Sequence, residues 1–287
     1  PDADKITIEQ LLRHRSGLHN FTDDEDYIAI METPMSRTAL LSHFAKKEND
    51  FAPGEQMSYS NTGYVVLSYL LEEAAGQSYS ELLNQYITEP CGLEDTYLPE
   101  KVVGTQEEEA HSYTKSDTGW SEATLTHPSI PVGAGAIIST PADLTAFMDC
   151  LFSGQLIGTA YLEQMTTMVD RYGLGLVQFP FQDKFAYGHS GGIDGFSSMA
   201  AHFPEQDISV AYISNGTVFP VNNIMIGALS IVFEMPYEIP AFAPAIEVPV
   251  SELEKYVGTY GSDSFPLDIK VFVEEGALKA QATGQPA

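Results

Sequence analysis

The stretch PGEQMSYSNTGYVVLSYLLEEAAGQSY, residues 53–79, carries the clearest local signals in the chain. Its first four residues predict a turn, because Pro and Gly are favoured in turns. The apolar run over 61–75 predicts a helix, and Gly76 is the residue type that most often ends one. Tyr59 and Asn61 therefore lie at a turn–helix junction, as a half-buried aromatic residue and a candidate N-cap.

Capping and periodicity signals of the same kind predict further helices on both sides of this stretch. They lie at about 7–15, 36–47, 78–87, 140–154 and 222–234. Two of them begin with capping boxes, formed by Thr7 with Gln10 and by Ser78 with Glu81. Pro90 is expected to stop the helix that begins after Ser78, because proline lacks the N–H that a helix interior requires.

Beyond residue 170 the chain changes to short segments rich in aromatic and β-branched residues, which predict strands. They cover 172–179, 184–190, 196–203 and 207–214, with PEQD at 204–207 as a hairpin turn. Helices thus come first and an antiparallel sheet later, which predicts an α+β fold rather than alternating βαβ units. The polar residues 100–131, which include Trp120, are expected to form a long loop along a substrate site.

The C-terminal part of the chain begins with a proline-rich segment. Prolines at four positions predict a stiff linker over 236–250. Beyond it, Ser251 and Glu254 are expected to cap a turn of helix, and LDIKVFV and ALKAQA flank EEG as the strands of a hairpin. Residues 251–287 are too few to form a core of their own, so this second domain is expected to be incomplete.

Charge and composition exclude several classes of function. The formal net charge is −27, with 13 Lys and Arg against 40 Asp and Glu, which argues against binding nucleic acid or an anionic membrane. No phosphate loop or zinc motif is present, so no cofactor is implied. Cys91 and Cys150 fit no metal-ligand spacing and are interpreted as free thiols in the core. TDDED at 22–26 is interpreted as a solvated acidic loop, with a calcium site as the alternative.

GHSGG at 188–192 has the G-x-S-x-G pattern of a nucleophile elbow. An elbow requires a helix after the serine, with the acid and histidine of the triad further along the chain. The residues after Ser190 predict a turn and a strand, and His202, the only later histidine, lies in that strand. An α/β-hydrolase that uses Ser190 is therefore kept only as an alternative, which full activity of a Ser190→Ala variant would exclude.

Five stretches together resemble the serine β-lactamase and penicillin-binding-protein-like superfamily, in its branch of class C β-lactamases, D-alanyl-D-alanine carboxypeptidases and esterases. They are ITIEQLLRHRSGL (6–18), residues 53–79, GAGAIISTPADLTAFM (133–148), YGLGL (172–176) and YGHSGGIDGFSS (187–198). The resemblance implies a β-lactamase/transpeptidase-like domain over 1–235, and YVGTY at 256–260 resembles the start of a lipocalin-like β-domain.

The family's catalytic motifs are Ser-x-x-Lys, Tyr-x-Asn, and Lys or His followed by x-Gly. Residues 59–61 match the second motif and residues 189–191 match the third. The resemblance implies that Tyr59 moves a proton between nucleophile and leaving group, that Asn61 donates to a substrate carbonyl, and that His189 hydrogen-bonds substrate or Tyr59. It places Ser190 and Gly191 in the substrate cleft.

Two further residues are candidates for the same cleft. The backbone N–H of Gly192, just past the third motif, would form half of an oxyanion hole. Trp120 is a candidate for stacking on substrate, with packing as the alternative role. Taken singly, Tyr59, Asn61 and His189 also fit purely structural roles, and the family assignment depends on their combination.

The first motif has no match in the expected place, before residue 6. The literal Ser-x-x-Lys at Ser112–Lys115 follows Tyr-x-Asn and lies in a polar segment without a helical stripe, so it is interpreted as a chance match. We therefore expect the chain to lack its nucleophile and the opening strands of its sheet and to be inactive alone. Its unpaired strand edges are expected to cause self-association or a frayed sheet.

For the full-length protein the resemblance implies a serine hydrolase that forms an acyl-enzyme on an amide, ester or β-lactam, as a D-alanyl peptidase or an esterase. Its partner would be a small-molecule or peptide substrate, and a periplasmic or secreted location is implied by the resemblance alone. A non-catalytic protein that binds cell-wall fragments in the same cleft is the alternative from another class.

Overall fold

The computed structural model describes residues 3–104, 109–116, 118–237, 248–262, 265–274 and 276–282. The chain divides into two compact units, Pro1–Pro236 and Tyr237–Ala287. No helix within the described residues is long and apolar enough to cross a bilayer.

The first half of the larger unit is helical. Its helices are α1 (Ile8–Leu12), α2 (Tyr27–Ile30), α3 (Arg37–Phe44), α4 (Asn61–Ala75), α5 (Tyr79–Leu83) and α6 (Glu89–Cys91), with a 3-10 turn at Phe21–Asp23. The predicted capping boxes of Thr7 and Ser78 are both present, and α4 ends at Gly76 in the left-handed conformation. The N-cap of α4 is Ser60 rather than Asn61, because the Ser60 hydroxyl accepts from the Gly63 N–H.

The expectation that Pro90 stops the helix was wrong. After α5 the chain forms a π-helical turn over Asn84–Thr88 and continues into α6, with Pro90 in the first turn of α6. The helical run ends directly after Pro90 and Cys91, at Gly92 in the left-handed conformation.

The second half of the larger unit contains the sheet and its flanking helices. In chain order the elements are β1 (Tyr113–Ser116), β2 (Gly119–Glu122), α7 (Val132–Gly135), α8 (Pro141–Phe152), α9 (Thr159–Thr166), β3 (Val177–Phe181), β4 (Lys184–Ile193), β5 (Phe196–Phe203), β6 (Ile208–Ser214) and α10 (Val221–Val232). Strands β3 to β6 form one antiparallel sheet in sequence order. The predicted α+β class is confirmed.

Two predictions for this half were wrong in detail. The strand expected over 172–179 begins only at Val177, because the chain reverses direction between Tyr172 and Val177, which face each other in an isolated antiparallel bridge, and Tyr172 is 5% exposed. The loop expected over 100–131 contains the β1–β2 hairpin, in which Trp120 lies opposite Lys115.

Two buried clusters stabilise the larger unit. One packs α10 against the sheet and is formed by Phe181, Ala186, Met199, Ala201, Phe203, Met225 and Leu229. The other joins α3, α4 and the loops beside them and is formed by Phe21, Leu40, Val65, Tyr69 and Ile130. This packing holds the N-terminus of α4 and strand β4 in fixed positions.

The interpretation of the cysteines as free thiols was wrong. Cys91 and Cys150 form a disulfide, with their Cα atoms 5.8 Å apart. Cys91 is the last residue of α6 and Cys150 lies in α8. Their separation of 59 residues along the chain gave no sign of this pairing, which depends on how the two helices pack.

The smaller unit contains α11 (Val250–Leu253), a 3-10 turn at Glu254–Tyr256, and strands β7 (Gly258–Ser262), β8 (Phe265–Glu274) and β9 (Ala277–Ala282). The three strands form an antiparallel sheet in sequence order, with the expected hairpin between β8 and β9. The N-cap of α11 is Pro249 and makes no side-chain cap, so the expected capping by Ser251 was wrong. Most of the predicted linker, 238–247, lies outside the described residues.

Candidate active site

A cleft of about 2010 Å³ opens in the larger unit between the N-terminus of α4 and strand β4. Six of the residues singled out in the sequence line it. They are Tyr59, Asn61, His189, Ser190, Gly191 and Gly192. Trp120 is not among the residues that line the cleft. Its ring lies on the β1–β2 hairpin, with the Lys115 ammonium 5.4 Å from the ring centroid.

Asn61 is fixed by the loop that precedes α2. Its backbone N–H donates to Asn20 Oδ1 (2.9 Å), and its Nδ2 donates to Thr22 Oγ1 (3.1 Å). The side chain of Asn20 donates to the same Thr22 hydroxyl (2.8 Å). Because an amide Nδ2 carries two hydrogens, one remains for a group bound in the cleft.

Tyr59 is the most accessible aromatic residue of the α4 end of the cleft, with 43% of its surface exposed. Its ring packs on His14 with centroids 4.1 Å apart and lies 6.1 Å from the His189 ring. Within the described residues its hydroxyl has no hydrogen-bond partner. Burial raises the pKa of Tyr59, so the phenol stays protonated at neutral pH.

A row of hydrogen bonds joins the residue before Asn61 to the third motif. The Ser60 N–H donates to His14 Nδ1 (3.0 Å), and His14 Nε2 lies 3.0 Å from the Tyr172 hydroxyl. That hydroxyl lies 2.7 Å from His189 Nε2, and His189 Nδ1 lies 2.5 Å from the Ser190 carbonyl oxygen. The row crosses from α4 to β4 beneath the cleft.

The backbone groups at its two ends fix which Nδ1 of the row accepts and which donates, and the Tyr172 hydroxyl between them also hydrogen-bonds Tyr64. Since a peptide N–H only donates, His14 Nδ1 accepts, and its Nε2–H donates to Tyr172. Since a carbonyl only accepts, His189 Nδ1–H donates to Ser190, and because burial lowers the pKa of His189, its unprotonated Nε2 accepts from the Tyr172 hydroxyl. Both imidazoles are therefore neutral, each in one tautomer.

The electrostatics agree with this assignment. The pKa of His14 is lowered to about 4, chiefly by burial and also by proximity to His189, while the Ser60 hydrogen bond opposes the shift. Burial also lowers the pKa of His189. With both nitrogens of His189 engaged, this residue is held in place as a neutral ring and has no lone pair free to act as a base.

Ser190 lies in the middle of a strand. Strand β4 continues to Ile193 and turns directly into β5, and Ser190 pairs with Met199. No helix follows the serine, so the nucleophile-elbow geometry is absent. Among the glycines of GHSGG, Gly188 is required by packing, because a Cβ there would lie 2.0 Å from the Ala200 carbonyl oxygen.

Gly192 faces open space, since the nearest atom to a Cβ at this position would be the Phe196 carbonyl oxygen at 3.8 Å. A bound group can therefore approach its backbone. The literal Ser-x-x-Lys lies elsewhere: Ser112 is 2% exposed and its hydroxyl donates to the Asp194 carbonyl.

The described residues that line the cleft include four carboxyl side chains and no Lys or Arg. The four are Glu94, Asp95, Glu109 and Asp194. Asp194 accepts from the Thr126 N–H (2.6 Å) and hydroxyl (2.8 Å), and burial raises its pKa. The cleft is therefore an environment that favours neutral or cationic groups over anionic ones.

His14 and Tyr172 were not singled out from the sequence. Both lie inside stretches that carried the family resemblance, LLRHRSGL and YGLGL, but their contact spans 158 residues of chain. The only signal for His14 was its position at the end of the predicted helix over 7–15, where the sequence offered no role for a polar ring. Tyr172 had no such signal.

Comparisons with known proteins agree with the architecture. The sequence model of the Beta-lactamase family matches residues 1–227. Penicillin-binding protein 4* of Bacillus subtilis is 27% identical over 89% of this chain and 62% of its own length. The matches to other curated relatives cover 43% and 54% of their lengths, so the chain spans about half the length of the curated relatives it matches.

Solved structures share the fold. A D-stereospecific amidohydrolase from Streptomyces has a TM-score of 0.68 and 30% identity, over 75% of this chain and 69% of that one. The octameric penicillin-binding protein homologue from Pyrococcus abyssi has a TM-score of 0.69 and 24% identity, over 99% of this chain and 68% of that one.

Proposed function

The chain belongs to the Beta-lactamase family. On that premise we propose that it forms the substrate cleft of a serine hydrolase, which forms an acyl-enzyme with an amide or peptide substrate. The observation that carries the proposal is the meeting of Tyr59 and Asn61 with His189 and Gly192 across one cleft. In this proposal the nucleophile and its activating lysine come from a Ser-x-x-Lys segment outside the 287 residues.

The chemistry of Tyr59 supports the proposal that the nucleophile and the lysine come from a segment outside the 287 residues. A serine hydroxyl attacks a carbonyl only while it loses its proton. Tyr59 accepts that proton only if its pKa falls, whereas burial alone raises it. A lysine ammonium beside the phenol would lower the pKa. The incoming segment would therefore supply both the nucleophile and the cation that converts Tyr59 into a base.

Asn61 and Gly192 act on the substrate in this proposal. The second amide hydrogen of Asn61 donates to the substrate carbonyl or its amide side chain. The Gly192 N–H stabilises the oxyanion of the tetrahedral intermediate, together with an N–H of the nucleophile's own backbone. His189 contributes a fixed, neutral ring that, through Tyr172 and His14, aligns β4 with α4.

The substrate class follows from the charge of the cleft. Four carboxyl side chains without a Lys or Arg in the described lining disfavour substrates with a free carboxylate, as in β-lactams and D-alanyl peptides. They favour amides that are neutral or carry an amino group. The relationship to a D-stereospecific amidohydrolase supports the same choice, and we place D-amino acid amides ahead of β-lactams and esters.

The test uses a chain extended at its N-terminus to include the Ser-x-x-Lys motif. We expect one fluorophosphonate adduct on the extended chain, none on the 287-residue chain, and faster turnover of a D-amino acid amide than of a β-lactam. Tyr59→Phe in the extended chain should lower kcat by about 10²- to 10⁴-fold. Tyr161→Phe, at a residue 67% exposed and outside the cleft lining, is the matched control.

Two results would contradict the proposal. An adduct on Ser190 or Ser112 of the 287-residue chain would place the nucleophile within it. An extended chain that binds the amide without turnover would favour the alternative, a non-catalytic protein that binds cell-wall fragments. That alternative is favoured by one observation, the absence of a cation near Tyr59 among the described lining residues.

We also propose that the 287-residue chain self-associates through the edge of its sheet. Strand β6 pairs only with β5 among the described strands, which leaves one row of backbone groups open. The structurally similar protein from Pyrococcus abyssi is octameric, which supports this proposal. We expect sedimentation of the purified chain over a concentration series to show dimers or larger species, and a monomer at every concentration would contradict the expectation.

A further inference from the structure

A second cluster of polar residues lies where the loop before α2 meets α3. One ligand atom from each of Asp24, Asp26 and His43 lies within 4.8 Å of the others. The side chains of Asp24 and His43 are 3% and 9% exposed, and Asp26 is at the surface. None of the three lines the cleft described above.

The two buried members each have an atom without a hydrogen-bond partner. Asp24 Oδ1 accepts from Lys47 Nζ and lies 3.1 Å from His19 Nε2. Within the part of the chain that the structure describes, Asp24 Oδ2 and His43 Nε2 have no hydrogen-bond partner. They face each other at 3.4 Å. Leaving a buried polar atom unpaired costs stability, so such a pair in a folded protein requires an explanation.

We propose that Asp24 Oδ2, His43 Nε2 and a carboxylate oxygen of Asp26 bind one divalent transition-metal ion, with Zn²⁺ as the best fit. In a tetrahedral zinc site with bonds of about 2.0–2.1 Å, two ligand atoms lie about 3.4 Å apart. The distance between Asp24 Oδ2 and His43 Nε2 has this value.

The remaining ligand positions fit an ion at the surface. Because Asp26 is exposed, its carboxylate can rotate to complete the third position without disturbing the core. Water can occupy the fourth. An imidazole ligand favours zinc and its neighbours over calcium and magnesium, which prefer oxygen ligands alone.

An ion pair is the competing explanation. Protonated His43 would attract Asp24, but this carboxylate already carries Lys47 and His19 on its other oxygen. The atoms also lack hydrogen-bond geometry as they stand. At 3.4 Å the two atoms are within ion-pair distance but outside hydrogen-bond geometry, whereas a metal ion between them would bind both atoms at this spacing.

The position of the site gives the ion a structural role. Asn20 and Thr22, which hold Asn61, lie in the same loop as Asp24. An ion that ties this loop to α3 would fix the base on which Asn61 rests. The inference depends only on the contacts of the loop and α3 and holds whether or not the proposed hydrolase activity is correct.

The experiment is a titration of the untagged, chelator-treated 287-residue chain with Zn²⁺, by calorimetry and by thermal unfolding. Excess Mg²⁺ and physiological salt are included because a net charge of −27 attracts cations non-specifically. We expect one Zn²⁺ per chain and a Tm that rises with Zn²⁺ concentration.

Matched variants identify the ligands. Asp26→Asn and His43→Gln should each weaken binding at least about tenfold and remove the rise in Tm. His111→Gln, which removes an exposed imidazole outside the cluster, should leave both unchanged. If His43→Gln does not fold, Asp26→Asn still tests the site, because Asp26 is at the surface and its substitution leaves the core unchanged. No saturable binding, or equal binding by wild type and Asp26→Asn, would overturn the proposal, as would a preference for Ca²⁺.

Discussion

Acidification from pH 6.5 to pH 4 is expected to lower the free energy of unfolding by about 3 kcal/mol through His14 alone. The pKa of His14 is lowered from 6.5 to about 4, mainly because burial disfavours the charged ring. Proximity to His189 acts in the same direction. In the folded protein His14 accepts from the Ser60 N–H, which requires the neutral ring.

The sign follows from proton binding in the two states. Between pH 6.5 and pH 4 the unfolded chain holds a proton on His14 and the folded chain does not, so stability falls as the pH falls. Above this window both states are neutral and the stabilisation is complete. Below it both states are protonated, and His14 contributes no further loss.

The measurement is urea unfolding at several pH values for wild type and His14→Asn. Asn suits the site because His14 has φ 53°, a backbone conformation that Asn tolerates, and an amide oxygen can accept from Ser60. The variant should lose stability less steeply on acidification, while the control His111→Gln should match wild type. Parallel pH profiles for wild type and His14→Asn would contradict the assignment of a neutral, buried His14.

Loss of the disulfide between Cys91 and Cys150 is expected to lower the free energy of unfolding by about 4 kcal/mol. The crosslink closes a loop of 59 residues and so reduces the conformational entropy of the unfolded chain. It also joins α6 to α8, and α8 supports the sheet that carries His189.

The unfolding midpoint of the oxidised protein should therefore exceed that of the reduced protein and of the double variant Cys91→Ala, Cys150→Ala. A reductant should not change the midpoint of the double variant, which controls for other effects of the reductant. A thiol assay on the unfolded, unreduced chain should find no free thiol. Two thiols in that assay would restore the interpretation drawn from the sequence alone.

Features that depend on neighbouring residues were predictable from the sequence. The helix over 61–75 ends at Gly76 as expected, and the boxes at Thr7 and Ser78 are present, because capping involves atoms only a few residues apart. The hairpin turn at 204–207 follows the same logic, since its residues select the turn by themselves.

Features that depend on contacts between distant residues were not predictable. The disulfide, the inward turn of Tyr172 and the pairing of Asp24 with His43 each join segments that only the tertiary fold brings together. TDDED was interpreted as a solvated loop because its spacing fits no calcium loop, yet Asp24 within it is buried. The imidazole beside it comes from α3, 19 positions further along the chain.

The row of hydrogen bonds from Ser60 to Ser190 has a further consequence. Each internal member both gives and receives a hydrogen, as in a chain that could transfer protons, but every end of the chain is blocked, including the branch from Tyr172 through Tyr64 to the Leu12 carbonyl. A peptide N–H closes one end and a peptide carbonyl closes the other, and neither exchanges protons with a substrate. All hydrogen bonds from Ser60 to Ser190 therefore run in one donor-to-acceptor direction, and the row does not transfer protons to a substrate. The row instead connects β4 rigidly to the start of α4. A ligand that displaces β4 at Ser190 would therefore also displace the backbone between Tyr59 and Asn61.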